Sequence, residues 1–141
     1  LFAIVAGPAF AVTQVTTGDP GGSMLCYNCG ANNRTQKSGN ATDGYIEDNG
    51  DGTQDAMMGY TTPSDGSEYS GTISVVVSDA DGNLVNNSTQ NVSDFGNGTI
   101  MYEGQQGLNI PIGGSVSISV SETNSSGRGF TAGWSLRNYR P

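Results

Sequence analysis

The sequence predicts an all-β protein, an antiparallel β-sandwich or jelly roll with an apolar N-terminal arm. Three observations predict it. The second half alternates apolar and polar residues with a period of two, as strands half buried in an antiparallel sheet do. Clusters of Gly, Asn and Asp punctuate those segments at short intervals. No stretch sustains a helical period.

The arm comes first. Residues 1–14 are almost wholly apolar on a chain that is otherwise polar and glycine-rich. A membrane-spanning helix needs about 20 apolar residues. This run is shorter, and Gly7-Pro8 would break a helix. Two other readings stay open. Pro8-Ala9-Phe10-Ala11 has the small-residue spacing of a signal cleavage site, without a basic segment ahead of it. Alternatively the arm is an extended strand, with Phe2, Ile4 and Ala6 on one side and Ala3, Val5 and Gly7 on the other. A terminal strand that is apolar on both sides suits insertion into a neighbour's sheet. Head-to-tail insertion that does not close on itself builds a filament. Residues 1–17 form this arm and 18–141 the sandwich domain, with a Gly/Pro-rich turn between them.

Residues 23–69 read as loops with short strands around Met24-Leu25, Tyr45-Ile46 and Met57-Met58. After them the alternation is regular. Ile73, Val75 and Val77 share one face, and residues 79–83, with Asp79 and Asp81, then read as a turn. Val116, Ile118 and Val120 point inward between serines. Phe130, Ala132, Trp134 and Leu136 form the inward set of the last strand.

Composition narrows the function. A chain of 141 residues fits one domain. The net charge of −8, with five basic residues, offers no stripe to neutralise phosphates, so nucleic acid is not an expected partner. There is no His, so a serine triad and the commonest general base are missing. There is no phosphate-binding loop and no dinucleotide fingerprint, hence no expected nucleotide. Glu103 and Glu122 are the least turn-like carboxylates for a glycosidase pair, but nothing in the sequence brings them together. No enzymatic activity is expected.

Three motifs carry chemistry. Cys26 and Cys29 form a lone CxxC pair. Gly30 stands where a c-type haem site needs His, and two ligands leave a zinc site half built. A local disulfide in an exported protein is the expectation. Residues 47–55 place Glu47, Asn49, Asp51, the carbonyl of Thr53 and Asp55 at alternate positions, with Gly52 for a sharp turn. That spacing resembles the start of the calcium loops of EF-hand, dockerin and thrombospondin-type repeats, and implies Ca2+ as a ligand. Glu stands at the first position and Met58 at the twelfth, so a plain hairpin turn is the other reading. Finally, seven Asn-x-Ser/Thr sequons begin at Asn33, Asn40, Asn86, Asn87, Asn91, Asn97 and Asn124, the mark of an N-glycosylated exterior protein or of a merely Asn/Ser/Thr-rich surface. Tyr27, Tyr45, Tyr60, Tyr69 and Tyr102 lie near Gly/Asp-rich segments and could stack on sugars.

Residues 126–134, Ser-Gly-Arg-Gly-Phe-Thr-Ala-Gly-Trp, together with the serine-rich strand before them and residues 100–104, resemble the last strands of CUB domains. That resemblance implies sandwich architecture and carries over no site residues. The layout as a whole resembles subunits of archaeal extracellular filaments built by donor-strand exchange: an apolar arm, a glycine hinge and a sequon-dense β-domain. It implies an extracellular subunit whose partners are copies of itself, with Phe2, Ile4, Val5, Phe10 and Val12 filling a neighbour's core. The alternative is a calcium-stabilised adhesion or carbohydrate-binding module that meets surface glycans.

Overall fold

The computed structural model describes residues 14–16, 23–27 and 34–139, with side chains from 34 onward. It is a two-layer antiparallel β-sandwich, and no helix occurs among the described residues. The strands are β1 (Gln14–Thr16), β2 (Ser23–Tyr27), β3 (Thr35–Gly39), β4 (Ala41–Asp48), β5 (Gln54–Thr61), β6 (Glu68–Ser78), β7 (Leu84–Phe95), β8 (Ile100–Leu108), β9 (Ser115–Thr123) and β10 (Gly129–Leu136). Sheet 1 has the order β1-β8-β5-β4-β2, and sheet 2 the order β3-β10-β9-β6-β7.

Sheet 2 follows the period-two pattern. Ile73, Val75, Val77, Val116, Ile118, Val120, Phe130, Ala132, Trp134 and Leu136 are all buried, and the serines between them face outward. In register, Val75 pairs with Ile118 and Ile118 with Trp134, so one inward row crosses three strands. Such cross-strand neighbours are the unit of sheet stabilisation. The outer face of the same sheet is covered by hydroxyls and amides. Ser74, for instance, stands between Thr89 and Ser119, and its hydroxyl is 2.9 Å from that of Thr89.

Sheet 1 corrects the expectation for residues 23–69. β4 and β5 are full eight-residue strands rather than short ones set in loops. Both of their faces are buried. Ile46, Ala56, Met58 and Tyr60 belong to the inter-sheet core, whereas Tyr45 and Met57, with Tyr102 of β8, form a second cluster on the other face. A strand buried on both faces loses its alternation, and Gly44 and Gly59 disguise it further. Gly44 is required by packing, because a Cβ there would run into the Trp134 ring. β7 was equally hidden. It is twelve residues long, with a mostly polar inward row that includes Asn86, Ser88 and Gln90.

The edges are managed differently. β3 closes one side of sheet 2 and carries Lys37 opposite Trp134, its ammonium donating to the Thr42 carbonyl at 2.8 Å. A lysine on an edge strand discourages further pairing. At the other side, β1 and β7 are the outermost strands.

Candidate functional site

β1 attaches the start of the chain to the sandwich. Its three residues pair with the outer edge of β8: Gln14 with Glu103, Val15 with Tyr102 and Thr16 with Met101. On its other edge β8 pairs with β5 as far as Leu108. Where β8 ends, a cavity of about 180 Å³ opens between Val85, Ile110, Pro111, Gln54, Gly52 and Asn109. Leu84 and Val85 nearby are exposed, Leu84 by 62%. On the inner side of β8, buried Gln105 accepts from the Ser88 hydroxyl at 2.5 Å, while its own amide nitrogen has no partner. The proposed assembly residues Phe2, Ile4, Val5, Phe10 and Val12 lie outside the described residues.

A second feature escaped the sequence. Asp94 (β7), Glu103 (β8) and Glu122 (β9) meet around Tyr60 (β5) between the sheets, each at most 5% exposed. The Tyr60 hydroxyl lies against both Asp94 and Glu103. The Glu122 carboxyl is sealed from water, with Asp94 as its polar neighbour. Burial, and then the neighbouring Asp94 and Glu103, push the Glu122 carboxyl up to about 9. Glu122 therefore keeps its proton at neutral pH and can donate a hydrogen bond to the Asp94 carboxyl. Glu103 and Glu122 do come together, but inside the core rather than in a cleft where a sugar ring could lie between them.

The acidic segment 47–55 spans the end of β4, the hairpin turn 49–53 and the start of β5. Asn49 N–H donates to the Thr53 carbonyl at 3.1 Å, and Gly50 and Gly52 take φ of 79° and 91°. Asn49, Asp51, Thr53 and Asp55 are engaged locally. Asp51 accepts from the Thr53 amide and hydroxyl, at 2.9 and 2.6 Å, which holds its carboxyl below the usual range. Asp55 is buried and accepts from Asn49 Nδ2 at 2.8 Å and from Gly107 N–H at 3.1 Å. Glu47 sits opposite Asp55 in the ladder. Among the described residues, no three acidic side chains gather closely enough to hold a metal ion. Residues 79–83 likewise form a turn, in which Asp79 Oδ1 accepts from the amides of Asp81 and Asn83 at 2.9 and 2.8 Å.

Four of the five tyrosines named above do not present rings for sugar stacking. Tyr45, Tyr60, Tyr69 and Tyr102 are at most 6% exposed. Tyr45 and Tyr102 pack at 5.6 Å on the outer face of sheet 1, and the Tyr102 hydroxyl donates to Asp43 at 2.8 Å. Burial, and then Glu47, Asp55 and Asp43, push the Tyr45 phenol up to about 12. Their aromatic area serves packing, Tyr45 and Tyr102 with Met57 and Tyr60 and Tyr69 with Phe130. The side chain of Tyr27 and the whole of Asn33 and Cys29 lie outside the described residues, so the Cys26–Cys29 pairing does too.

Comparison of the chain with protein-family models, with characterised proteins and with solved structures finds no match.

Proposed function

We propose that this chain is a structural subunit of a secreted, glycosylated cell-surface filament, assembled head-to-tail through residues 1–17. One observation carries the reading. The strand that leads out of the apolar arm is the edge strand of sheet 1, and its three described residues pair with β8. A short ladder at a sheet edge is readily exchanged for an identical one from a neighbour. The arm of the next protomer would take the β1 seat and continue along 104–108, supplying main-chain hydrogen bonds by strand addition. The apolar cavity at the end of that edge, with Val85, Ile110 and Pro111, suits one of its side chains. The other edge of the sandwich, with Lys37 on β3, is the less welcoming one. The apolar character of Phe2, Ile4, Val5, Phe10 and Val12 then has a purpose, which is burial in another subunit.

Electron microscopy of the native protein, purified without denaturation, tests this. Regular fibres of one subunit type are expected, and deletion of residues 1–12 should abolish them while leaving a secreted, less stable monomer. Fibres that persist after that deletion would sink the proposal.

A further inference from the structure

We infer that Asn87, Asn91 and Asn97 are the sugar acceptors of the described part of this protein, and that Asn40, Asn86 and Asn124 are not. The inference rests on the exterior placement proposed above, and it comes from which way each sequon faces.

Successive side chains of a strand point to opposite faces, so residues i and i+2 share one. A sequon lying on a strand is therefore presented whole or hidden whole. Asn87 and Thr89, and likewise Asn91 and Ser93, are exposed on the outer face of β7. Asn97 and Thr99 are exposed in the turn after β7, where the Thr99 amide donates to Asn97 Oδ1 at 3.0 Å, a bond that does not use Nδ2. Asn86, one residue from Asn87, faces the other way. Its Nδ2 donates to the Val75 carbonyl at 3.1 Å, and its hydroxyl partner Ser88 is bound to buried Gln105. The Nδ2 of Asn40 donates to the Thr61 carbonyl at 2.9 Å, and that of Asn124 to the Ser67 hydroxyl at 3.1 Å. Asn124 Oδ1 also accepts from Ser126 and Arg128, so this side chain closes the β9–β10 turn.

The chemistry needs the nitrogen that these three residues have committed. Nδ2 attacks C1 of a sugar linked through phosphate to a lipid carrier. The N–C1 bond forms as the C1–O bond breaks, the lipid phosphate departs with the bonding pair, and the amide proton passes to a base of the transferase. A sugar placed on Asn86 before folding would take the nitrogen that bonds the Val75 carbonyl and would crowd Gln105, so folded molecules lack it. Sugars on Asn87 and Asn91, by contrast, stand over the outer face of sheet 2, where their strand neighbours are Val76 and Thr72.

The test is glycopeptide mapping by mass spectrometry of the protein from its own host. Sugar is expected on Asn87, Asn91 and Asn97, with Asn40, Asn86 and Asn124 bare. Asn87→Gln and Thr89→Ala should each remove the same single glycan from the intact mass, because Thr89 serves only the Asn87 sequon. A bare side chain at any of the three expected positions, or sugar at any of the other three, overturns the inference. Fibres lacking these sugars would leave the filament reading intact. Monomers carrying them would overturn the filament reading alone.

Discussion

Tyr60 reaches from sheet 1 to Asp94 of sheet 2, its hydroxyl 2.5 Å from the Asp94 carboxylate. Glu103 lies against the same hydroxyl, so one O–H proton serves two buried acceptors. Protons shared among the acids let the cluster avoid the desolvation penalty of three buried charges. Tyr60→Phe keeps the ring that stacks near Phe130, at 6.0 Å, and removes only the hydroxyl. Leaving two buried carboxyl groups without that donor should destabilise the fold by about 1–3 kcal/mol. Urea unfolding measures the difference. An unchanged midpoint would show that the hydroxyl is dispensable.

Glu122 makes the same cluster sensitive to pH. Its carboxyl is raised to about 9 in the fold from an ordinary value of 4.5. Between those values the folded state holds a proton that the unfolded state has released. Stability from this group is therefore complete below the unfolded value and is lost as pH rises toward the folded one. The melting temperature should fall between about pH 5 and about pH 9. Glu122→Gln, which cannot ionise, should flatten that fall. Equal slopes in the two proteins would remove Glu122 as the cause.

Asp65 works in the opposite direction. It accepts from the Tyr69 hydroxyl at 2.6 Å and from the amide and hydroxyl of Ser67 at 3.0 and 2.8 Å, and it pairs with Arg128 at 3.2 Å. The Tyr69 bond, followed by those from Ser67, lowers its carboxyl to about 2 from 3.8. That contribution is present above the ordinary value and lost as pH falls toward the folded one. Asp65→Ala should lower the melting temperature at neutral pH, with the gap to the parent protein closing near about pH 2. A gap that stays constant down to that pH would assign the loss to something other than the carboxylate.

Gly44 and Trp134 set how closely the two sheets approach. The indole is 2% exposed, and a methyl group at Gly44 would overlap its ring. Gly44→Ala should destabilise by about 1–3 kcal/mol through overpacking. Trp134→Ala should cost about 3–5 kcal/mol through the cavity it leaves. In the double variant the added methyl meets no ring, so the two losses should not add. Strict additivity in denaturant melts would mean that the two positions do not touch.

β6, β9 and β10 were legible in the sequence because one face of sheet 2 is dry and the other wet, so Val116, Ile118 and Val120 alternate cleanly with serines. β5 was not, because Met57 packs outside sheet 1 while Met58 packs inside it. β7 was hidden by its polar inward row, and with it the division between Asn86 and Asn87 that decides which sequon is presented. The Asp94–Glu103–Glu122 cluster depends on strands distant in sequence, which no local spacing encodes. The acidic loop was legible as a turn and as a calcium loop alike, since both need Gly50, Gly52 and short oxygen-bearing side chains.

The β1 seat can be probed without a fibre. Removing residues 1–17 takes away the three pairs on Met101, Tyr102 and Glu103 and bares the β8 edge. An unpaired edge beside an apolar cavity should lower the melting temperature and promote association. A synthetic peptide of residues 1–17 should bind the truncated protein and raise its melting temperature, more so at higher peptide concentration. The same peptide with Phe10→Asp and Val12→Asp keeps every main-chain hydrogen-bonding group but presents charge to the core, so it should stabilise far less. If both peptides act alike, the arm's apolar side chains do not enter the acceptor. If neither binds, the β1 seat cannot be filled from outside, and exchange between neighbours loses its physical basis.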